Sequence, residues 1–349
     1  IIQLAMSPQN KVALLDSWFV NGRPEPILPI ANTAVTRGPV TTSDLSSTRI
    51  TVIGAGALGS FFAARLHRAG IATALVARGK RLDRLRKNGV QLEMDGIRCA
   101  ENLPCAEHAI DLPAPHLAIL AVKTGDLDEA AAQLLPFHSS SLGILTVQNG
   151  VMAPEEIARL LPGAQVLAGR VHGFFEHADN IVRHAGVPPS IAFGPLDGTT
   201  STTADLLADC LTAAGIAYTR PSSIQVELWE KFVLASAIGG VGAALGMPVG
   251  RLRERSAHWE MLSEAMKEIA SLASKKGIAL PPDCVEKTLD FVAGFPAEAT
   301  TSLQRDLTAG RPSEFDQLTG AVVRIADELG QAVPVHRRVI EMLAERGLI

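Results

Sequence analysis

Three glycines in the spacing G-x-G-x-x-G connect an apolar, β-branched segment to a helical pattern. In such a loop Gly54 permits a tight turn, Gly56 lets the backbone approach a pyrophosphate, and Gly59 allows a helix to pack closely on a sheet. The positive end of the helix dipole adds to the attraction for phosphate. The segment predicts a dinucleotide site, and the alternative is a glycine turn with a purely structural role. The predicted loop comprises Gly54, Ala55, Gly56, Ala57, Leu58 and Gly59.

Basic residues follow the second predicted strand, where the ribose of a dinucleotide would be recognised. An NAD site usually places Asp or Glu there, to accept a hydrogen bond from the 2′-hydroxyl. Here no acidic residue occurs between Gly59 and Asp83, whereas Arg78, Lys80 and Arg81 cluster. Because a guanidinium can hold a 2′-phosphate through two hydrogen bonds, Arg78 predicts NADP(H). The alternative is an exposed basic start of a helix.

The composition limits the classes of protein and partner. The chain has 349 residues, 47% of them hydrophobic, and a formal net charge of −4. This is enough for one long or two ordinary domains, and the scattered basic residues predict no nucleic-acid partner. Four cysteines stand far apart without metal-ligand spacing, so we expect no metal and a reduced, cytoplasmic protein.

No apolar run is expected to span a membrane. The helical stretch after Trp229 comes closest, but Glu227, Glu230 and Lys231 open it.

The elements that must position these residues fall into two groups. Apolar strands near 50–53, 73–77, 117–122 and 143–147 alternate with helices, which predicts a parallel sheet covered on both faces. Short β-like segments at 166–175, 181–184 and 190–194 are expected to extend this sheet antiparallel. Helical periodicity then dominates in 225–245, 258–276, 282–292, 314–329 and 336–346.

We therefore expect an α/β domain at 49–221 and an all-helical domain at 222–349. Residues 1–48 lack clear periodicity and a secretory pattern, and predict a poorly ordered extension in which a targeting role stays open.

Four further motifs complete a resemblance. They are VKT at 122–124, QNG at 148–150, ELWEK at 227–231 and SLQRDLTAGRPSEFD at 302–316. Together with the glycine loop and Arg78, the chain resembles the ketopantoate reductase family from residue 50 onward. The resemblance implies a Rossmann-like NADP-binding domain, a helical substrate domain, an active site in the cleft between them and a small-molecule carbonyl substrate. A homodimer stays open.

The resemblance also implies roles for single residues. Lys231 falls on the general acid that protonates the carbonyl oxygen of a 2-oxo acid as NADPH delivers hydride. Glu314 falls on a glutamate that orients the lysine or contacts the substrate, and the alternative is a first-turn glutamate favoured by the helix dipole. Ser302 falls on a serine that binds the substrate carboxylate, and the alternative is a helix N-cap. Lys123 and Asn149 fall on residues beside the nicotinamide ribose.

The chain departs from the family in its substrate pocket. Asparagines of the family are replaced here by Ala235, Gly239, Val249 and Ala299. We expect Ala235 and Gly239 to line a pocket with altered recognition. The glycines of IGGVGAALG either open space for a bulkier substrate or allow close helix packing, and the sequence favours neither.

The expected function is an NADPH-dependent reductase of a 2-oxo acid or related ketone. The alternatives are a genuine 2-dehydropantoate 2-reductase and a non-catalytic NADP-binding sensor. His172 and Trp229 are expected to be structural rather than catalytic.

Overall fold

The computed structural model describes residues 45–94, 96–173, 175–178, 181–184 and 188–349, together with three two-residue strands in the first 24 residues. These short strands are Ile2–Gln3, Phe19–Val20 and Arg23–Pro24. The expected disorder of residues 1–48 falls largely outside the described residues. Of the described part of that segment, Leu45 and Thr48 are buried, and Leu45 belongs to the core of the α/β unit.

The α/β unit comprises the described residues from Leu45 to Gln148 and those from Ala153 to Ile224. Its strands are β1 (Arg49–Ile53), β2 (Ala72–Val76), β3 (Val90–Met94), β4 (Ile97–Glu101), β5 (Cys105–Ala106), β6 (Leu117–Leu120), β7 (Gly143–Thr146), β8 (Gln165–His172), β9 (Phe175–Ala178), β10 (Ile181–His184), β11 (Ser190–Pro195) and β12 (Ala217–Thr219). Its α-helices are α1 (Ala57–Arg68), α2 (Gly79–Asn88), α3 (Leu127–Leu134), α4 (Ala153–Leu160) and α5 (Thr202–Ala213). Short 3-10 turns occupy Ala109–Asp111, Thr124–Asp126 and Leu135–Phe137.

An eight-stranded sheet forms the centre of this unit, in the order β12-β11-β8-β7-β6-β1-β2-β5. All neighbouring strands run parallel except β8 and β11, which pair antiparallel. The sequence predicted that three short segments extend this sheet antiparallel, and only β11 does so. Strand β8 continues the parallel part, and β10 belongs to a second sheet of order β9-β10-β3-β4.

Apolar residues cover both faces of the large sheet. Alternate side chains of a strand point to opposite faces, so Val52 joins the core that contains Phe61 and Phe62, whereas Ile53 joins the core that contains Leu127 and Ile157. Burial on both faces explains why the strands read as continuous apolar runs. Because β1, β2, β6 and β7 run parallel, their carboxyl ends lie at the same edge of the sheet, where ligands of such folds bind.

The helical unit comprises residues 149–152 and 225–349, together with the three short strands described within residues 1–30. Its elements are α6 (Ile224–Leu245), α7 (Val249–Arg253), α8 (Ser256–Lys275), α9 (Cys284–Ala293), β13 (Thr300–Thr301), α10 (Ser302–Thr308), α11 (Thr319–Leu329) and α12 (Pro334–Glu345). Helix α8 packs against α7, α9, α11 and α12.

The long helix α6 is apolar nearly all round. Contrary to the sequence expectation, it is long and apolar enough to cross a membrane, but 78% of its most apolar window is buried inside the protein. A helix that is apolar on every side and buried is typical of a protein core. Its C-terminal carbonyls are capped by Arg346, whose Nη1 donates to the oxygens of Ala243 and Ala244.

The α/β unit followed by a helical unit confirms the predicted fold class. One helix boundary differs in a way that matters for the site. The helix expected to start at residue 314 starts at Thr319, and Glu314 lies in the preceding bend. The helix dipole therefore does not explain a glutamate at this position, because the effect is confined to the first turn.

Candidate active site

The protein itself accounts for two of the three loop glycines. Gly54 has a φ of +108°, and a Cβ there would lie 2.8 Å from the backbone of Ala121 and Val122. A Cβ on Gly59 would lie 1.9 Å from the carbonyl oxygen of Gly54. A Cβ on Gly56, in contrast, would meet only the Ala121 oxygen, at 4.0 Å. The space beside Gly56 leaves room for a ligand to approach the backbone, and the residues present fit a dinucleotide pyrophosphate at the start of α1.

Arg78 follows β2, as predicted, but it has partners that the sequence did not indicate. Its Nη1 donates to both carboxylate oxygens of Glu129, at 2.7 and 2.6 Å. Its Nη2 lies 3.8 Å from Asp126 Oδ1. The pairs are half exposed to solvent, so they contribute little to stability.

Arg81 is the basic residue that contacts the glycine loop. Its Nη1 donates to the carbonyl oxygen of Ala55 at 2.9 Å and lies 2.5 Å from Nε2 of His177. Burial, with a smaller contribution from Arg84, lowers the pKa of the Arg81 guanidinium. Desolvation and the charge of Arg81 lower the pKa of His177 to about 4, so His177 is neutral near pH 7.

Gln148 joins two strand ends beside this loop. Its side-chain amide donates to the oxygens of Leu120 and Val122, at 2.8 and 3.1 Å. These bonds fix the backbone that leads from β6 into Lys123, which is exposed immediately before the 3-10 turn at Thr124–Asp126. Sequence reasoning used the QNG motif but assigned no role to Gln148.

Asn149 and Glu314 are brought together in the helical unit. The Asn149 Nδ2 donates to both carboxylate oxygens of Glu314, at 3.1 and 3.0 Å. Both side chains are partly buried, so this amide orients the carboxylate. The residues are 165 positions apart, and no spacing in the sequence indicates that they touch.

Lys231 lies half-buried in the second turn of α6. Glu227 and Glu230 on the same helix are buried. Burial, with a smaller contribution from the charge of Glu230, raises the pKa of the Cys284 thiol to about 11. Trp229 packs edge-on against Phe232 with ring centres 5.6 Å apart, and is a core residue.

Ser302 is not the N-cap of its helix. The preceding Thr301 has that role, and its hydroxyl accepts a hydrogen bond from the backbone N–H of Gln304 at 3.1 Å. Ser302 is the first helical residue and is partly exposed. The structural alternative for Ser302 therefore does not hold.

The positions that replace family asparagines are mostly interior. A Cβ on Gly239 would lie 3.0 Å from Leu303 Cδ2 and 3.6 Å from Thr301 Oγ1. Val249 and Ala299 are each 2% exposed, and the Val249 N–H donates to the Ala299 oxygen at 3.0 Å. Ala235 alone among the four is half-buried.

Of the two alternatives for Gly239, these distances favour close helix packing over space for a substrate. Neighbouring glycines agree, since a Cβ on Gly240 would lie 2.8 Å from Thr319 Oγ1.

The cysteines take no part in this arrangement. Cys99, Cys105, Cys210 and Cys284 are free thiols, and burial raises the pKa of Cys210 to about 12. Among the described residues, no group of three or more His, Cys, Asp or Glu side chains could hold a metal ion.

Comparisons with known proteins agree with the fold and the motifs. A family model described as ketopantoate reductase PanE/ApbA matches residues 50–198, and the model of its C-terminal part matches residues 223–347. A 2-dehydropantoate 2-reductase of Mesorhizobium japonicum is 27% identical over 325 residues, which cover 86% of this chain and 99% of the relative.

Solved structures show the same likeness. The PanE/ApbA family ketopantoate reductase of Ralstonia eutropha has a TM-score of 0.76 and 28% identity, with 85% of this chain and 97% of that chain covered. D-mandelate dehydrogenase, in complex with NADH and anilino(oxo)acetate, shares the fold with a TM-score of 0.75 at 22% identity, covering 86% of this chain and 99% of its own. Members of the matched family are oxidoreductases that act on a CH–OH/C=O pair. The two matches together span most of the chain, which therefore belongs to the ketopantoate reductase family.

Proposed function

We propose that the protein is an NADPH-dependent reductase of a 2-oxo acid or a related ketone. The observation that carries this proposal is the Asn149–Glu314 pair in the same unit as Lys231 and Ser302. Reduction of a ketone that carries a carboxylate uses a general acid, a group that positions it and a group that binds the carboxylate. Lys231, Glu314 and Ser302 would supply these three groups. A protein that only bound the dinucleotide would have no use for them.

The α/β unit supplies the cofactor side of this proposal, apart from Asn149, which belongs to the helical unit. The loop 54–59 would hold the pyrophosphate, Arg78 the 2′-phosphate, and Lys123 and Asn149 the nicotinamide ribose. When bound, the reduced nicotinamide supplies a hydride. NADPH is preferred over NADH in this proposal because a guanidinium favours a phosphate that a carboxylate would repel.

Lys231 acts as the proton donor. Reduction places negative charge on the carbonyl oxygen, and the Lys231 ammonium stabilises this charge and transfers a proton to it. The product is an alcohol, and the neutral lysine regains its proton from solvent. Glu314, oriented by Asn149, would hold the lysine or the substrate in position, and Ser302 would donate a hydrogen bond to the substrate carboxylate.

Recognition of the substrate is proposed to differ from that of the 2-dehydropantoate reductases. Ala235 lies one helical turn after Lys231 and offers a methyl group where the family has an amide. A buried hydroxyl left without its partner costs about 1–3 kcal/mol. We therefore expect ketopantoate to be a poorer substrate than a ketone with a larger apolar substituent.

A panel of carbonyl compounds tests this function. NADPH oxidation would be followed with ketopantoate, with 2-oxo acids that carry aliphatic or aromatic side chains, and with simple ketones. We expect the highest kcat/KM on a bulkier 2-oxo acid. Highest efficiency on ketopantoate would refute the altered recognition, and no oxidation with any compound would refute the reductase proposal.

A further inference from the structure

Two acidic side chains lie beside Arg78, at the end of β2 where the ribose would bind. The Arg78 guanidinium donates hydrogen bonds to both carboxylate oxygens of Glu129, in the first turn of α3. Its Nη2 lies 3.8 Å from Asp126 Oδ1. Two carboxylates therefore surround the arginine that would receive the 2′-phosphate. This inference rests on the proposed NADPH preference.

The Arg78–Glu129 pair is exposed enough to open. Its side chains are 54% and 53% exposed, and pairs of this kind are weak in water. A ligand phosphate can therefore displace Glu129, but it must do so against an internal competitor. After displacement, the carboxylates of Glu129 and Asp126 remain close to a group that carries charge of the same sign.

The 2′-hydroxyl of NADH experiences the opposite effect. A carboxylate accepts a hydrogen bond from a ribose hydroxyl, which is how NAD sites are ordinarily built. Glu129 thus offers NADH an acceptor while it opposes the phosphate of NADPH. Arg81 does not offset this effect, because its Nη1 is turned toward the Ala55 oxygen and His177.

We propose that Glu129 is a specificity-determining residue that competes with the 2′-phosphate for Arg78 and so narrows the preference for NADPH. Arg78 makes the protein bind NADPH more tightly than NADH, and Glu129 reduces the ratio between the two affinities. Asp126 contributes less, since it lies farther from the guanidinium.

The test is to titrate the full chain with NADPH and with NADH and to measure binding by calorimetry or by nicotinamide fluorescence. In Glu129→Gln we expect the Kd for NADPH to fall about two- to fivefold, with the Kd for NADH unchanged or higher. Asp128→Asn is the matched control, because it removes the same charge from the adjacent, exposed position of α3. We expect it to change the ratio of the two Kd values by less than Glu129→Gln does.

Arg78→Ala separates this inference from the proposed function. If Arg78→Ala weakens NADPH binding and Glu129→Gln leaves the Kd ratio unchanged, the role of Glu129 is overturned and the NADPH preference stands. An equal decrease of the Kd for NADPH in Glu129→Gln and in Asp128→Asn also overturns the role of Glu129, because the effect is then one of net charge. If Arg78→Ala does not change the Kd ratio, the proposed NADPH preference itself fails.

Discussion

The side-chain amide of Asn149 donates hydrogen bonds to both carboxylate oxygens of Glu314, and both side chains are partly buried. Asn149 lies in the loop after β7, next to Gln148, and Glu314 lies in the bend before α11. Two motifs far apart in the chain thus act as one unit.

We expect Asn149→Ala and Glu314→Gln to be energetically coupled. A hydrogen bond to a charged group contributes about 1.5–3 kcal/mol, so the double variant should lose less stability than the sum of the single losses. Chemical unfolding of the four proteins in the cycle measures this coupling. Asp316→Asn, at an exposed position two residues from Glu314, is the control and should behave as the wild type. Additive losses would show that the two side chains act independently.

Lys231→Ala should abolish most turnover while the fold and cofactor affinity stay intact. Loss of a general acid typically lowers the rate roughly 10²–10⁴-fold. Lys231→Arg should be nearly as slow, because it keeps the charge but does not release a proton near neutral pH. Single-turnover NADPH oxidation measures both variants, and Lys287→Ala, an exposed lysine paired with Asp283, is the control. Full activity in Lys231→Arg would assign Lys231 a purely electrostatic role.

Asparagine at position 239 should destabilise the protein instead of restoring family specificity. The added side chain must enter the space beside Leu303 Cδ2, already 3.0 Å from an ideal Cβ, and overpacking of this kind costs about 1–3 kcal/mol. Ala235→Asn, four residues earlier and half-buried, should cost less and shift efficiency toward ketopantoate. Thermal unfolding and kcat/KM for both variants check this. Equal stability of the two variants would contradict the packing role of Gly239.

Glu268 should be among the most sensitive positions of the helical unit. Its carboxylate accepts hydrogen bonds from the N–H groups of Val335 and His336, at 2.7 and 3.1 Å, and contacts His336 Nδ1 at 2.6 Å. The His336 side chain is only 1% exposed, so the loss of its partner leaves buried donors unpaired. We expect Glu268→Gln to cost about 1.5–3 kcal/mol in unfolding free energy. Glu264→Gln, which breaks an exposed pair with Lys267, should destabilise the protein much less than Glu268→Gln does.

Stability should fall between pH 6.5 and 4 in part because of His177. Its pKa is lowered from 6.5 to about 4 in the folded protein, so the unfolded chain binds the proton more readily over this range. The stabilisation is complete above pH 6.5 and is lost as the pH falls toward 4. His177→Gln should therefore show a shallower decline of the unfolding temperature with pH. His108→Gln, an exposed histidine, should follow the wild type.

Local patterns were sufficient to predict the fold and the glycine loop. Alternation of apolar strands with helices defined the parallel sheet, and Gly54 and Gly59 have the backbone roles that their spacing indicates. The partners of Arg78 were not predictable in this way, because Glu129 lies 51 residues away and reaches Arg78 only through the order of the strands. The same holds for Asn149 with Glu314. Gly239 was ambiguous because a glycine against a neighbouring helix and a glycine facing a ligand look alike in sequence.

The cap that Arg346 places on α6 has a consequence for how the chain is made. The carbonyls of Ala243 and Ala244 accept hydrogen bonds from a guanidinium about one hundred residues farther along the chain. Domains fold as units during synthesis, generally from the N-terminus. The α/β sheet can therefore pair its strands while the ribosome is still translating, whereas the helix that carries Lys231 is capped only after Arg346 has been synthesised.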